Sequence, residues 1–204
     1  MFKLIIVGTV VALAAASHPV NDDIVRSIKA ANPTWKAHEV SENPFANYTH
    51  EQLLNMLGTY IVPVNKAHKK SAVTAVPDTF DAREQWPNYV HAIRDQQQCG
   101  SCWAFGASES FSDRFAISSA GKVNVILSPE DMVSCDQTDY GCGGGYMENA
   151  WEYLENTGIV TDSCFPYTAG DGSEAPCASK CVDGSAWTKY KCLQGSIVNP
   201  TTPD

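Results

Sequence analysis

All eight cysteines of this 204-residue chain lie at or after position 99. Ahead of them, Lys3 and the apolar run over residues 4–16 have the pattern of a secretory signal peptide, which we assign to residues 1–16. As a helix the run spans about 20 Å, too little for a bilayer core of about 30 Å, so no membrane span is predicted. Cysteines in an oxidising compartment generally pair. The rear of the chain is therefore predicted to be a disulfide-rich domain.

The charged residues, like the cysteines, are distributed differently in the front and the rear of the chain. Residues 17–75 carry six lysines and arginines against five acidic residues, whereas residues 76–204 carry seven against eighteen. An acidic body argues against nucleic acid as a partner and suits an acidic vesicle or extracellular fluid. We expect a protein of the secretory pathway, located in a lysosome, in a digestive vacuole or outside the cell.

The segment before the first cysteine is predicted to be helical over residues 20–62. Its apolar residues at helical spacing are Ile24, Ile28 and Ala31. The segment has too little apolar mass for a core of its own. Residues 65–75 have the composition of a linker that can be cleaved. Asn47 begins the one N-glycosylation triplet of the chain.

Three helices are predicted in the cysteine-containing part. The first starts at or just before Cys102 and buries a stripe at four-residue intervals, which consists of Trp103, Ala107, Phe111 and Phe115. The second follows Ser128 as its N-cap, with Pro129 at the first helical position. The third runs from about residue 146 to residue 156 and stops at Gly158.

Cys102 is the candidate nucleophile of the chain. A cysteine attacks as a thiolate, and the unpaired N–H groups of a helix N-terminus favour that negative charge. The backbone N–H of Cys102 and the side-chain amide of Gln96 are both candidates to donate to an oxyanion. These are two of the parts that acyl transfer needs.

Three other interpretations compete at this Cys-x-x-Cys pair. A thioredoxin-like dithiol is expected after a strand in a βαβ pattern, which does not precede the pair here. A zinc site needs a second close pair, and Cys135 and Cys142 are spaced too widely. An ordinary structural cystine leaves Gln96 and Trp103 unexplained. We therefore favour the nucleophile, with no metal and no cofactor.

The same residues resemble the papain-like cysteine proteases, and cathepsin B-type precursors in particular. The likeness rests on Gln96-x-x-Cys99-Gly100-Ser101-Cys102-Trp103-Ala104-Phe105, on the run from Pro77 to Pro87, and on Gly141-Cys142-Gly143-Gly144-Gly145-Tyr146. Upstream, Ile24-Val25, Thr34-Trp35-Lys36-Ala37 and Leu57-Gly58-Thr59 resemble a short cathepsin B-type propeptide.

The resemblance implies an α+β, papain-like fold. It implies a propeptide over residues 17–75, which acts as an intramolecular inhibitor, and the N-terminal part of the protease domain over residues 76–204. The helical left half with its disulfide-rich loops is present, and the right-hand β-barrel half is largely absent, apart from a strand around residues 76–80. Polypeptides are the implied substrates.

The resemblance also implies the role of each site residue. Cys102 is the nucleophile and Gln96 the oxyanion donor. The implied substrate-binding residues are Trp103, Gly144, Gly145 and Met147. A plain turn next to a half-cystine is the alternative for the glycine run.

The resemblance further implies the pairing of the cysteines, as Cys99 with Cys142, Cys135 with Cys177 and Cys164 with Cys181. Cys192 is left without a partner, either because its partner lies beyond residue 204 or because it is a buried free cysteine. Gln97 and Gln98 stand where the family has small residues, and Gly143 where it has asparagine. There is no room between Cys164 and Cys177 for the long histidine-containing loop by which cathepsin B trims dipeptides, which favours an endopeptidase.

The catalytic base is missing from these 204 residues. All five histidines precede Cys102, whereas the catalytic histidine of the family follows the nucleophile. His91 is assigned to the surface. The first hypothesis is an incomplete piece of an active cysteine peptidase that is made as an inhibited precursor. The alternative is a non-catalytic papain-like binding protein or truncated pseudoprotease, and a redox protein comes third.

Overall fold

A computed structural model describes residues 18–61 and 77–194 of the chain. Residues 18–53 belong to one compact unit, and the described residues after them belong to a second. The signal peptide predicted over residues 1–16 and the linker predicted over residues 65–75 lie outside the described residues. Within the described ranges, no helix is both long and apolar enough to cross a membrane.

The first unit contains helix α1, Asp22–Ala30, and a 3-10 turn at Val40–Glu42. The Asn21 side chain caps α1 by accepting a hydrogen bond from the backbone N–H of Ile24 at 2.9 Å. No residue of α1 is buried, and Ala37 is the one buried hydrophobic residue in the described part of this unit. The unit therefore has little core of its own.

The three predicted helices form the core of the second unit. The remaining elements of the chain are, in order, α2 (His50–Asn55), β1 (Thr59–Tyr60), α3 (Ala82–Gln85), α4 (Cys102–Ser118), α5 (Pro129–Cys135), β2 (Gly145–Tyr146) and α6 (Met147–Asn156), with 3-10 turns at Gly141–Gly143 and Ala169–Asp171. Along α4, Trp103, Ala107 and Phe111 are buried in one hydrophobic cluster, and Phe115 packs against it. Helices α5 and α6 both pack on α4, so the predicted stripe faces them.

The ends of α5 and α6 follow their local sequence signals. The Ser128 hydroxyl accepts from the backbone N–H of Asp131 at 3.0 Å and donates to the carbonyl of Phe165 at 2.6 Å. Gly158 ends α6 with a φ of +75°, and its N–H donates to the carbonyl of Tyr153 at 2.8 Å. Both ends are where the sequence predicts them.

A small parallel sheet corrects the prediction that the front segment is helical as far as residue 62. Residues 59–60 form β1, which pairs with β2 so that Thr59 lies opposite Gly145 and Tyr60 opposite Tyr146. The partner strand lies more than eighty residues away in the sequence. A pattern of nearby residues cannot report such a pairing.

The strand predicted around residues 76–80 is not present over its described part, residues 77–80. Phe80 is instead 61% exposed, with its ring edge-on to Trp86. A strand needs a neighbouring strand to pair its backbone groups, and within the described residues none lies beside this segment. The prediction was wrong for residues 77–80.

Three disulfides cross-link the second unit, and they join the pairs that the resemblance implied. The pairs are Cys99–Cys142, Cys135–Cys177 and Cys164–Cys181. Among the described cysteines, Cys102 and Cys192 are free. The first disulfide joins the residue three positions before α4 to the turn before β2. It therefore holds the N-terminus of α4 beside the glycine run.

Candidate active site

Cys102 is the first residue of α4, a helix of 17 residues. Its thiol is free and partly buried. The preceding residue, Ser101, is completely buried and offers no side-chain hydrogen bond to cap the helix. The helix end therefore keeps unpaired N–H groups beside the sulfur, and these favour a negative charge there.

Gln96 lies close to the same helix end. Its side-chain Nε2 donates to the carbonyl of Cys99 at 2.9 Å and to the carbonyl of Met56 at 2.7 Å. The second acceptor is a peptide carbonyl from a distant part of the chain. The amide that the sequence predicts as an oxyanion donor is thus bound to a peptide carbonyl in this structure.

A short segment of the chain, residues 56–60, lies against the Cys102 sulfur; we call it the covering segment. The backbone N–H of Gly58 donates to Cys102 Sγ at 3.3 Å, and the Thr59 hydroxyl lies 3.0 Å from the same sulfur. The Gly58 carbonyl accepts from the N–H of Gly145 at 2.7 Å. The covering segment therefore engages the nucleophile candidate and the glycine run together.

Glycine is required at two positions for this approach. A Cβ on Gly58 would lie 1.6 Å from the carbonyl oxygen of Gly100. Gly144 has a φ of +111°, and a Cβ there would lie 2.7 Å from the Gly58 carbonyl oxygen. The covering segment and the glycine run can approach each other this closely only with glycine at both positions.

The other predicted substrate-binding residues differ in their exposure. Trp103 is completely buried; its Nε1 donates to the carbonyl of Gly141 at 3.0 Å, and a Cβ on Gly145 would lie 2.6 Å from its ring. Contrary to the prediction of direct binding, Trp103 lies beneath the glycine run and supports it. Met147 begins α6 and is partly buried against the core.

A hydrogen-bond chain that the sequence analysis missed holds Gln96 and Ser101 in place. The Tyr167 hydroxyl donates to the backbone carbonyl of Gln96 at 2.8 Å and accepts from the Ser101 hydroxyl at 2.9 Å. Burial raises the pKa of Tyr167, which keeps it a neutral donor. Its position, more than sixty residues after Cys102, carries no sequence signal for this role.

The covering segment contributes two further residues that the sequence analysis missed, Thr59 and Tyr60. Thr59 contacts the sulfur, and the Tyr60 hydroxyl donates to the carbonyl of Gly143 at 2.6 Å. The available signal was Leu57-Gly58-Thr59, which resembles part of a propeptide. That resemblance does not say which atoms it contacts.

His91 is not near Cys102. Its Nδ1 bonds Asp113 at 2.7 Å and its Nε2 bonds Asn124 at 2.9 Å. Asp113 lies eleven residues after Cys102 on α4, about 16 Å along the helix axis. The His91 side chain is partly exposed, at 18%, and lies away from the candidate active site.

The Cys102 thiol has no histidine among its hydrogen-bond partners in the part of the chain that the structure describes. Over the same residues, no group of three or more histidines, cysteines and carboxylates is arranged to hold a metal ion. The site therefore offers a sulfur at a helix end, an amide donor and a glycine run that binds extended peptide.

Comparisons with known proteins agree with this geometry. A family model described as papain family cysteine protease matches residues 76–199. Cathepsin B-like CP3 of Giardia intestinalis is 37% identical over 167 residues, which are 78% of this chain and 54% of that protein. Cathepsin B-like cysteine proteinase 4 of Caenorhabditis elegans is 45% identical over 139 residues, which are 63% of this chain and 36% of that protein.

Two solved proforms have similar structures. ProCathepsin B S9 from Trypanosoma congolense has a TM-score of 0.71 at 26% identity, over 85% of this chain and 63% of that one. The proform of the ragweed pollen allergen Amb a 11, a cysteine protease, has a TM-score of 0.56 at 30% identity, over 79% of this chain and 51% of that one. The chain spans about half the length of the Giardia relatives.

Proposed function

Because this chain belongs to the papain family of cysteine proteases, we propose that it is the nucleophile-bearing part of a peptidase that hydrolyses peptide bonds through the Cys102 thiolate. The observation that carries the proposal is the free Cys102 sulfur at the first residue of α4, beside a Gln96 amide that binds a peptide carbonyl. A helix end supplies the field that a thiolate needs, and the amide supplies the donor that an oxyanion needs.

The proposed reaction has two stages. The Cys102 sulfur attacks the carbonyl carbon of the substrate, and the carbonyl oxygen takes up the negative charge. The side-chain N–H of Gln96 and the backbone N–H of Cys102 stabilise this oxyanion. The C–N bond then breaks, the amine leaves with a proton, and water hydrolyses the remaining thioester to a carboxylic acid and the free thiol.

The reaction needs an imidazole beside the sulfur, first to take the proton of the thiol and then to give a proton to the leaving amine. An amide or carboxylate orients this imidazole. None of the five histidines follows Cys102, and the His91 side chain bonds Asp113, a residue of α4 that lies far from Cys102. In this family the histidine and asparagine follow the nucleophile by about 130 to 150 residues. We therefore place both groups in a longer protein, of which these 204 residues are a part.

The glycine run binds the substrate backbone in the proposed enzyme. The Gly145 N–H already donates to a peptide carbonyl at 2.7 Å, and the adjacent Gly144 has no side chain to obstruct an incoming strand. Met147 follows at the start of α6 and is a candidate wall for a substrate side chain. Trp103 acts from below by holding the turn at Gly141.

Residues 17–75 act as an inhibitory propeptide in this proposal. The covering segment engages the sulfur, the Gln96 amide and the Gly145 N–H at once, so a substrate cannot use any of them. The two similar solved structures named above are a proCathepsin and a proform. Removal of the covering segment, after cleavage within the predicted linker over residues 65–75, then activates the enzyme.

Two finer parts of the proposal rest on the loops and the cysteines. The stretch between Cys164 and Cys177 contains no histidine and includes a short turn whose N–H groups bond Glu130, which favours endopeptidase action. Three disulfides and the apolar N-terminal run support the secretory pathway, with a lysosome, a digestive vacuole or the extracellular space as the destination.

The first experiment reads the transcript past the codon for Asp204 and expresses the resulting protein. Cys102→Ser is expected to abolish peptide hydrolysis, and Gln96→Ala to lower kcat by about 10²–10³-fold, as for other oxyanion donors. Cys192→Ser, which changes the other free thiol, is expected to keep activity close to that of the wild type. Peptidase activity that survives Cys102→Ser contradicts the proposal.

A second candidate is a non-catalytic papain-like binding protein or truncated pseudoprotease, in which the glycine run binds a peptide backbone as the Gly145 N–H binds the Gly58 carbonyl here. A reading frame that closes at residue 204 supports this candidate for that product. Hydrolysis of a peptide by the 204-residue chain itself, lost in Cys102→Ser, refutes it.

A further inference from the structure

The His91 side chain lies between two hydrogen-bond acceptors, one at each ring nitrogen. Its Nδ1 is 2.7 Å from Asp113 Oδ1, and its Nε2 is 2.9 Å from Asn124 Oδ1. The backbone N–H of His91 donates to the same Asp113 oxygen at 3.0 Å. Three parts of the second unit thus meet at this ring: the segment over residues 88–96, helix α4 and the loop over residues 119–124.

The orientation of the Asn124 amide is fixed from its other side. Its Nδ2 donates to the carbonyl of Asn88 at 3.1 Å. A carbonyl oxygen only accepts, so the nitrogen of the amide has to face Asn88 and its oxygen has to face His91. The His91 Nε2 therefore has to carry a proton to make its bond.

The other ring nitrogen of His91 also faces an acceptor. An ionised carboxylate such as that of Asp113 has no proton to donate, so Nδ1 has to donate as well. A neutral imidazole carries one N–H, whereas the imidazolium carries two. Only the doubly protonated His91 ring makes both bonds at once.

Asp113 is the acidic side chain that bonds this ring in the part of the chain that the structure describes. The other charged or titratable side chains on the same three parts are Tyr89, Arg94, Asp95, Cys102, Glu109, Arg114 and Lys122. Arg94 is paired with Glu109 and with Asp162, at 3.1 Å each, and Arg114 and Lys122 are exposed. The positive charge of the ring is therefore balanced by Asp113.

The bonds of His91 join segments that are otherwise connected by few contacts. The Tyr89 ring lies on Gly121, where an added Cβ would be 2.8 Å from Tyr89 Cε1. The Ser119 hydroxyl accepts from the Val123 N–H at 2.9 Å, which holds the loop to the end of α4. Loss of a His91 bond is thus expected to weaken the contact between residues 88–91 and this loop.

We infer that His91, Asp113 and Asn124 form a pH-sensitive latch, in which protonation of the His91 ring ties residues 88–91 to α4 and to the loop that follows it. At acidic pH both ring bonds are made. When the ring loses a proton as the pH rises, one nitrogen is left with its lone pair facing an acceptor, and that bond breaks. The stability that the latch supplies is therefore present at low pH and lost as the pH rises. The latch suits an acidic vesicle and does not depend on peptidase activity.

The first test compares the 204-residue chain with its His91→Phe variant by urea unfolding at pH 5 and at pH 8. Phenylalanine keeps a ring but neither bonds nor titrates. The wild-type advantage in the unfolding equilibrium constant is expected to be about 10-fold larger at pH 5 than at pH 8, the loss of one bond to a charged group. His50→Phe, at an exposed histidine, is the control and is expected to show less than a 2-fold difference. An advantage that is equal or smaller at pH 5 overturns the inference, since a histidine buried in its neutral form gives the smaller one.

The second test removes one acceptor and reads the ring directly. In an Asn124→Ala background, the pH dependence of the His91→Phe effect is expected to fall below 3-fold, and an unchanged dependence overturns the role of Asn124. The wild-type chain with ¹⁵N-labelled histidine is also measured by NMR at pH 5.5, where His91 is identified by its proximity to Asn124. Both of its ring nitrogens are expected to carry protons. A ring with a single proton at this pH overturns the inference without the need for any variant to fold.

Discussion

At the scale of single residues, Gly58 is the position where a small change has the largest effect on the site. Its Cα lies so close to Gly100 that an added Cβ meets the carbonyl oxygen at 1.6 Å. The neighbouring atoms are backbone atoms, so they cannot rotate away as the end of a side chain can. The covering segment tolerates only glycine there.

We predict that Gly58→Ala displaces the covering segment and raises the rate of Cys102 alkylation in the 204-residue chain by 10-fold or more. The reason is that the methyl group and the Gly100 carbonyl cannot occupy the same space. Gly106→Ala is the matched control, because a Cβ on this α4 residue meets no atom within 4 Å. This control is expected to leave the rate unchanged and to stabilise the helix by up to about 1 kcal/mol. A rate for Gly58→Ala equal to that of the control contradicts the prediction.

At the scale of elements, the site joins the N-terminus of α4 to the turn that precedes β2. The Cys99–Cys142 disulfide and the hydrogen bond from the Gly100 N–H to the Cys142 carbonyl, at 3.0 Å, make this junction. The Trp103 indole adds a third tie through the Gly141 carbonyl. The distance between the sulfur and the glycine run therefore depends on these three links.

We predict that the double variant Cys99→Ala, Cys142→Ala loses about 2–5 kcal/mol of unfolding free energy, since a cross-link over 43 residues is removed. The turn also becomes free to move away from α4, so Cys102 is expected to be alkylated faster. Denaturant unfolding and the alkylation rate measure the two effects. Cys192→Ala removes a thiol but no cross-link and is expected to cost less. A similar loss of unfolding free energy in the double variant and in Cys192→Ala contradicts the prediction.

At the scale of the whole molecule, buried carboxyl groups link stability to pH. Burial raises the pKa of Asp139, with Asp136 and Glu148 adding to the effect against two opposing hydrogen bonds. One of its oxygens, Oδ2, is buried without a hydrogen-bond partner among the described residues. Burial also raises the pKa of Asp162, although Arg94 opposes this. The folded state therefore favours the protonated forms of both groups.

We predict that the wild type gains stability relative to Asp139→Asn as the pH falls from 7 to 4. A carboxyl whose folded pKa is raised is stabilising when protonated, and that contribution is lost as the pH rises from the ordinary value of 3.8 through the higher folded value. The asparagine cannot ionise and has no such dependence. Thermal unfolding of both proteins across this range measures the difference, with Asp78→Asn, at an exposed position, as the control. A difference in stability between the wild type and Asp139→Asn that stays constant from pH 7 to pH 4 contradicts the prediction.

Much of the core was predictable because its signals are local. The stripe from Trp103 to Phe115 repeats at helical spacing, and Ser128 caps the helix that begins at the next residue. Gly158 ends α6 because it alone adopts the positive φ there. Each of these signals involves residues a few positions apart, so it can be seen in the sequence without the fold.

The contacts of the site were less predictable. Trp103 was expected to bind substrate and is buried beneath the glycine run, and Tyr60 was expected in a helical segment and lies in a strand. Burial and pairing depend on which distant segment arrives at a surface. Here the segment that reaches Cys102 lies more than forty residues before it.

The family, the candidate nucleophile and amide donor, and the three core helices could all be predicted from the sequence, because each depends on a short run of side chains. The tertiary structure shows that the covering segment engages Cys102, Gln96 and Gly145 together, and that the Tyr60 hydroxyl donates to the Gly143 carbonyl. The physical reason is the range of the interactions. Helix periodicity and capping act over one or two turns, whereas these contacts join residues separated by 40 to 87 positions and arise only when the helices and disulfides bring them together.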